Sequence, residues 1–318
     1  MLVVTQLKLS NIEVKKKMND IPKLIYLMGA GRSGTTALAT FLGGSPEVQV
    51  LGEMHQFYEH LHQGKKCSCG TRIDQCEFWR KVLERLPDEV LSNVDRKMEV
   101  ERTIERHQAI INHVLKGRDI EELNSYLLSW REIFNVCREV SRKDVMLDSA
   151  KYIGRALALK HLEGIDLKVI YMVRDVRGVV HSFSKNVQTP RRPLSAIFYY
   201  LVINSIAEII RLFFLKQKCL KVRYEDMMEC PDKFFTELAN FLQMDLDCVK
   251  QKIRTDQEFD IGHIVGGNRI REQRKVKFRK DVGWQSKMTA WRKVLLYIGA
   301  LPLMLCNRYS VLGKEGNK

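Results

Sequence analysis

The stretch Leu24–Leu42, "LIYLMGAGRSGTTALATFL", reads as an apolar strand, a glycine-rich turn and the first turns of a helix. Such a junction aims backbone N–H groups and the positive end of a helix dipole at one small anion. Three readings of the turn fit part of it. Gly29, Gly31 and Gly34 spell G-x-G-x-x-G, the dinucleotide fingerprint, and Glu53 follows near the distance expected of a ribose carboxylate. Read as G-x-x-x-x-G-K-[ST], the window has Gly29, Gly34 and Thr36, but Thr35 stands where the lysine belongs. The third reading takes Arg32 as the cation moved into the loop. Its forked donors, with the hydroxyls of Ser33, Thr35 and Thr36, suit a tetrahedral group with several acceptor oxygens.

Outward from the turn, short apolar runs recur ahead of helical patterns: 23–28, 48–51, 145–148, 167–173 and 219–224. This alternation predicts an α/β fold with a parallel sheet covered by helices on both faces. Between the second and third runs, about 78–142 is rich in charge, poor in glycine and proline and helically periodic, and is expected to be a helical insertion over one end of the sheet. The basic run 266–284, "GGNRIREQRKVKFRKDVGW", reads as a solvated surface, and an apolar helix bent at Pro302 closes the chain. Residues 1–20 read as an irregular leader, and 21–318 as one domain carrying the insertion.

The 318 residues, 45% of them hydrophobic, suffice for a large core, and a formal charge of +15 attracts polyanions without choosing among them. The leader has no signal-peptide pattern, and Val294–Cys306 is shorter than the roughly 20 residues a spanning helix requires, so no transmembrane segment is expected. Eight cysteines without a secretory leader fit reduced thiols in a cytoplasm.

A second stretch, Lys168–Asn186, "KVIYMVRDVRGVVHSFSKN", runs a buried strand into Arg174 and places Ser182 on the helix that follows. A guanidinium and a hydroxyl at the same sheet end as the glycine loop suit a second phosphate, hence one ligand with two separated anionic groups. With "GRSGTT" (31–36) and "VRDVRGVVHSF" (173–183) in this order, the chain resembles the sulfotransferases that use 3'-phosphoadenylyl sulfate (PAPS). "GEMH" (52–55), "LDSAKYIGRALAL" (147–159) and "HIVGGNRIR" (263–271) extend the resemblance over about residues 23–290.

The resemblance implies a P-loop-like fold without nucleotide hydrolysis or magnesium, with 3',5'-ADP as product. It assigns Gly31, Arg32, Ser33, Gly34, Thr35 and Thr36 to the 5'-phosphosulfate, and Arg174 and Ser182 to the 3'-phosphate. Gly267, Asn268 and Arg271 resemble the late element that covers the nucleotide, although Arg269 stands where the family often has proline. Glu53 matches the position of a catalytic glutamate and is read as general base, with His55 as rival; Lys151 and Arg32 are expected beside the transferring group. The acceptor would be a hydroxyl of a carbohydrate, lipid or small metabolite, and the arginines and lysines of 78–142 hint at an anionic one.

Cys67, Cys69 and Cys76 cluster in sequence near His60 and His62, but C-x-C-x6-C is not paired C-x2-C spacing and lacks a fourth ligand, so no metal is expected. Other functions remain in view. Asp148 resembles the carboxylate strand of an ATPase, although a P-loop kinase would want its lysine. A nicotinamide oxidoreductase would leave Arg174 and Ser182 without a task. A nucleic-acid binder using 266–284 would lack interleaved aromatic rings, so no specific nucleic acid is expected.

Overall fold

The computed structural model describes residues 21–106, 120–184, 192–267, 273–281 and 283–311; the leader, Asn268 and Arg271 lie outside them. Each apolar run forms a strand: β1 (Lys23–Met28), β2 (Val48–Gly52), β3 (Val145–Lys151), β4 (Asp166–Val173) and β5 (Cys219–Arg223). They pair in the order β2-β3-β1-β4-β5, every neighbour parallel. The runs are almost unbroken because both faces are buried. Leu24, Tyr26 and Met28 of β1 enter one core, and Ile25 and Leu27 enter the other.

The chain leaves β1 toward β2 on one side of the sheet and leaves the adjacent β4 toward β5 on the other, so the winding reverses between β1 and β4. That crevice at the strands' carboxyl ends is where open α/β sheets receive ligands. Glycine turn, Glu53, Lys151 and Arg174 all lie at this edge, because each ends or follows a strand.

Helix α1 (Thr35–Leu42) follows the turn, and α2 (Phe57–Gln63) opens the crossing from β2 to β3. Helices α3 (Glu77–Leu83), α4 (Val94–Ile104) and α5 (Ile120–Ser141) belong to the insertion. It packs Trp79, Trp130 and Phe134 into the first core, so the helical reading of this region holds in its described part. Helix α6 (Ile153–Leu159) follows β3, and α7 (Val176–Ser184) follows β4.

The basic run is not wholly solvated. Lys275–Lys277 forms β7, antiparallel to β6 (Glu258–Asp260), and Lys277 pairs with Asp256. Val294–Cys306 divides between two short helices, Ala290–Gly299 and Leu301–Cys306, with Pro302 in the first turn of the second. A longer apolar segment escaped the sequence reading. Pro193–Lys218 is, by length and composition, the one helix among the described residues able to cross a membrane, and its most apolar window is only 28% buried. Leu194, Phe198 and Phe213 on it are exposed, as are Trp291, Leu295 and Ile298.

Candidate active site

Backbone geometry builds the loop. A Cβ on Gly29 would stand 2.5 Å from the Met172 carbonyl oxygen, so only glycine lets the turn pass β4. Gly34 has φ 101°, and Tyr224 packs against it where a side chain would project. Arg32 itself is left-handed, φ 71°, which swings its side chain out of the turn. Ser33, buried, donates its hydroxyl proton to the Ala30 carbonyl at 2.7 Å and ties the loop to itself. The Gly31 N–H donates to the Tyr199 hydroxyl at 2.8 Å. Thr35 and Thr36 lie buried in the first turn of α1.

The two predicted anion cradles touch. Arg32 Nε donates to Ser182 Oγ at 2.9 Å, and Arg174 Nη1 donates to the Arg32 carbonyl at 3.3 Å. Arg174 also donates to the Asp281 carbonyl at 3.0 Å, and its guanidinium lies 4.2 Å from the centroid of the Tyr224 ring. Gly178 makes room, since a Cβ there would approach Arg174 Nε to 2.9 Å. That Nε is buried without a hydrogen-bond partner among the described residues. Asp175 is engaged by Arg177 instead, so Arg174 is not held in a pair with its sequence neighbour. Burial first, and the charge of Arg174 second, lower the pKa of Arg32, as expected where two cations face each other.

Beside this cradle, Lys151 Nζ forms an ion pair with Glu53 Oε1, both largely buried. The β1–β3 register slips between Tyr26 and Met28, and Lys151 takes φ 74°; this irregularity aims the lysine across the edge toward β2. Gln56 donates to Glu53 Oε2 at 3.1 Å. His55, next along, is half-buried; loss of solvation, followed by the charges of Lys151 and Arg155, holds its pKa well below the ordinary value and disfavours the protonated ring.

The late segment closes over this edge. Glu53 N–H donates to the Val265 carbonyl at 2.7 Å, and Val265 N–H to the Leu51 carbonyl at 2.9 Å. Gly52, φ 93°, permits the approach, because its Cβ would lie 2.2 Å from Val265 O. Gly267 follows, φ 99°, at the margin of the described residues.

The sulfotransferase family profile matches residues 22–247, well over half of the chain. The chain belongs to the sulfotransferase family. Solved structures of similar fold include the sulfotransferase domain from the curacin biosynthetic pathway, at 15% identity over 91% of this chain and 98% of that one, TM-score 0.50. Others are the sulfotransferase domain of the Synechococcus PCC 7002 olefin synthase (19% identity, 91% and 95% coverage, TM-score 0.48) and sulfotransferase STF9 from Mycobacterium avium (11%, 74% and 68%, 0.44). No curated protein sequence matches the chain.

In this sulfotransferase, sequence reasoning missed a buried charge network. Arg155 bridges Asp148, at 2.7 Å, and Glu105, lies 3.9 Å from the Trp130 ring centroid, and all three charged side chains are inaccessible. Tyr126 donates to Glu105. Asp148 therefore faces an arginine and accepts the Ala150 and Met54 N–H groups, an anchor for the turn carrying Glu53. The charges of "LDSAKYIGR" signalled something at this strand end, but not which partner each would find.

A cavity of about 320 Å³ opens between His55, Tyr152 and helix α4, on the insertion side of Glu53. Glu59, Glu101, Arg102 and Arg106 share its wall, so carboxylates as well as guanidinium groups face it.

The cysteines of the insertion also find a partner that sequence reading did not supply. His263 brings Nδ1 to 3.1 Å from Cys76 Sγ. The Cys76 thiol is pulled down to about 3, chiefly by its hydrogen bond with Cys67, with His263 and the backbone N–H groups of Trp79 and Phe78 adding to it. His263 is pushed up to about 9, first by Cys76.

Proposed function

We propose that this sulfotransferase moves the sulfuryl group of PAPS onto the hydroxyl of a carbohydrate, lipid or small metabolite, releasing 3',5'-ADP. The observation that supports this reading is the junction of the two cationic cradles, Arg32 on Ser182 and Arg174 on Arg32. A ligand with two anionic groups a few ångströms apart fits it, and the unpartnered Nε of Arg174 offers a further buried donor.

PAPS, when bound, supplies an activated sulfuryl group on a phosphate leaving group. The N–H groups of the loop, Arg32, Thr35 and Thr36 hold the 5' end; the Ser33 hydroxyl, committed to Ala30, keeps the loop in shape. Arg174 and Ser182 hold the 3'-phosphate, and Gly267, Asn268 and Arg271 cover the nucleotide. Glu53 takes the proton of the acceptor hydroxyl, and Lys151 beside it offsets negative charge as the sulfuryl group moves. His55 is a weaker candidate base, since its surroundings disfavour the protonated ring.

The acceptor enters the cavity on the insertion side. Its wall sets the carboxyl groups of Glu59, Glu101 and Glu105 beside the guanidinium groups of Arg102 and Arg106, and this mixture supports a neutral hydroxyl compound over the anionic acceptor that the insertion's composition suggests. Free cysteines support a reducing compartment such as the cytoplasm.

Calorimetry with 3',5'-ADP, ATP, NAD and a DNA duplex tests the donor. Preference for 3',5'-ADP is expected; equal or tighter binding of any of the others overturns the reading.

A further inference from the structure

We infer that Cys67, Cys69, Cys76 and His263 form a structural zinc site that fastens the late segment to the helical insertion. The four donor atoms, from two stretches of chain nearly two hundred residues apart, all lie within 4.8 Å of one another. A tetrahedral zinc with Zn–S near 2.3 Å and Zn–N near 2.0 Å sets its ligand atoms about 3.5–3.8 Å apart. The donors thus need to close by only about an ångström.

The frame around them is built by backbone and side-chain contacts of other residues. Cys67 N–H donates to the Thr71 carbonyl and Gly70 N–H to the Cys67 carbonyl, folding "CSCG" into a tight turn in which Gly70 has φ 90°. Ser68, between the first two cysteines, donates to the Gly262 carbonyl at 2.6 Å and accepts the Ile264 N–H at 2.8 Å, so it clasps His263 from both sides. Trp79 donates to the His263 carbonyl at 3.1 Å, and the Phe78 ring is stacked on the imidazole. Cys76 stands at the N-cap of α3, so the helix fixes the position of its backbone. The ring of His263 and the "CSCG" turn are therefore held in position by groups that are not themselves ligands.

Three sulfurs and one imidazole select a borderline-soft ion, and four protein donors leave no open position, which distinguishes a structural from a catalytic zinc. Binding expels the remaining thiol protons to solvent and involves no redox change. Its consequence is mechanical. His263 lies two residues before Val265, whose carbonyl holds the Glu53 N–H, so the ion would fix the strap that positions the candidate base. Metal binding itself does not depend on Glu53 being the base.

The test uses the full chain, purified in reducing buffer without added metal. Elemental analysis is expected to find one zinc per chain, lost in Cys69→Ser and His263→Ala, kept in the control Cys248→Ser and regained in His263→Cys. Cobalt replacing zinc in the unmutated chain should give the visible bands of a tetrahedral ion and strong sulfur-to-metal absorption in the near ultraviolet, a readout that survives even if a variant misfolds. Zinc-free protein that gives no such spectrum with cobalt overturns the inference, as does a disulfide between any two of these cysteines in the freshly purified chain.

Discussion

Replacing Arg174 with alanine tests the donor site most directly. The guanidinium is buried, lacks a partner for Nε and spends its other donors on the carbonyls of Arg32 and Asp281 and the Asp281 carboxylate. A hydrogen bond to a charged group contributes about 1.5–3 kcal/mol, so a 3'-phosphate that loses this arginine should lose roughly 10- to 150-fold in affinity. The substitution also frees the Arg32 carbonyl, which loosens the loop at a cost of about 0.5–1.5 kcal/mol, but that loss falls on any ligand of the loop. The ratio between 3',5'-ADP and 5'-AMP therefore isolates the 3' contact. Calorimetry on both ligands should show the large drop for 3',5'-ADP and a much smaller one for 5'-AMP. Arg174→Lys should fall between, because it keeps the charge and loses the fork. Equal losses for the two nucleotides would place the 3'-phosphate elsewhere and refute the reasoning.

Glu53→Gln should lower turnover about 10²- to 10⁴-fold while leaving 3',5'-ADP affinity unchanged, and an unaffected rate in a sulfate-transfer assay would remove Glu53 from the base role. Arg155→Met leaves Asp148 and Glu105 buried without their cation, a loss of roughly 3–5 kcal/mol in urea denaturation. Burial raises the pKa of both carboxyls, so the fold takes up protons on them above their unfolded pKa values; the variant should be penalised most above the raised folded pKa values and recover as pH falls through them toward the unfolded carboxyl range, and a loss independent of pH would contradict the assignment.

What the sequence made legible is what short-range physics writes. A parallel sheet buried on both faces turns each strand into a run of apolar residues, so all five could be placed, and a loop that must pass close to β4 and Tyr224 has to spell glycine at 29 and 34. That Arg174 and Ser182 lie against the glycine loop was readable for the same reason, since the end of a strand and the second turn of the next helix hold a fixed relation to it. Tertiary closure is a different matter. Nothing local ties His263 to Cys76, 187 residues away, so three cysteines looked one ligand short. Asp148 invited comparison with a metal carboxylate because composition does not say that Arg155 turns inward to meet it. The aim of Lys151 hangs on a slipped register and a left-handed backbone that no periodicity announces. Pro193–Lys218 shows the same limit from the other side: hydropathy counts its apolar residues, while only the packing reveals that Phe198 and Phe213 face outward. In this fold the candidate anion cradle is a property of strand ends and is written locally. The pairing of Glu53, the candidate base, with Lys151 and the seating of the Val265 strap against them belong to contacts between distant segments, so substitutions at Gly52, whose Cβ would meet Val265, or at Ser68, which holds Ile264, should displace Glu53.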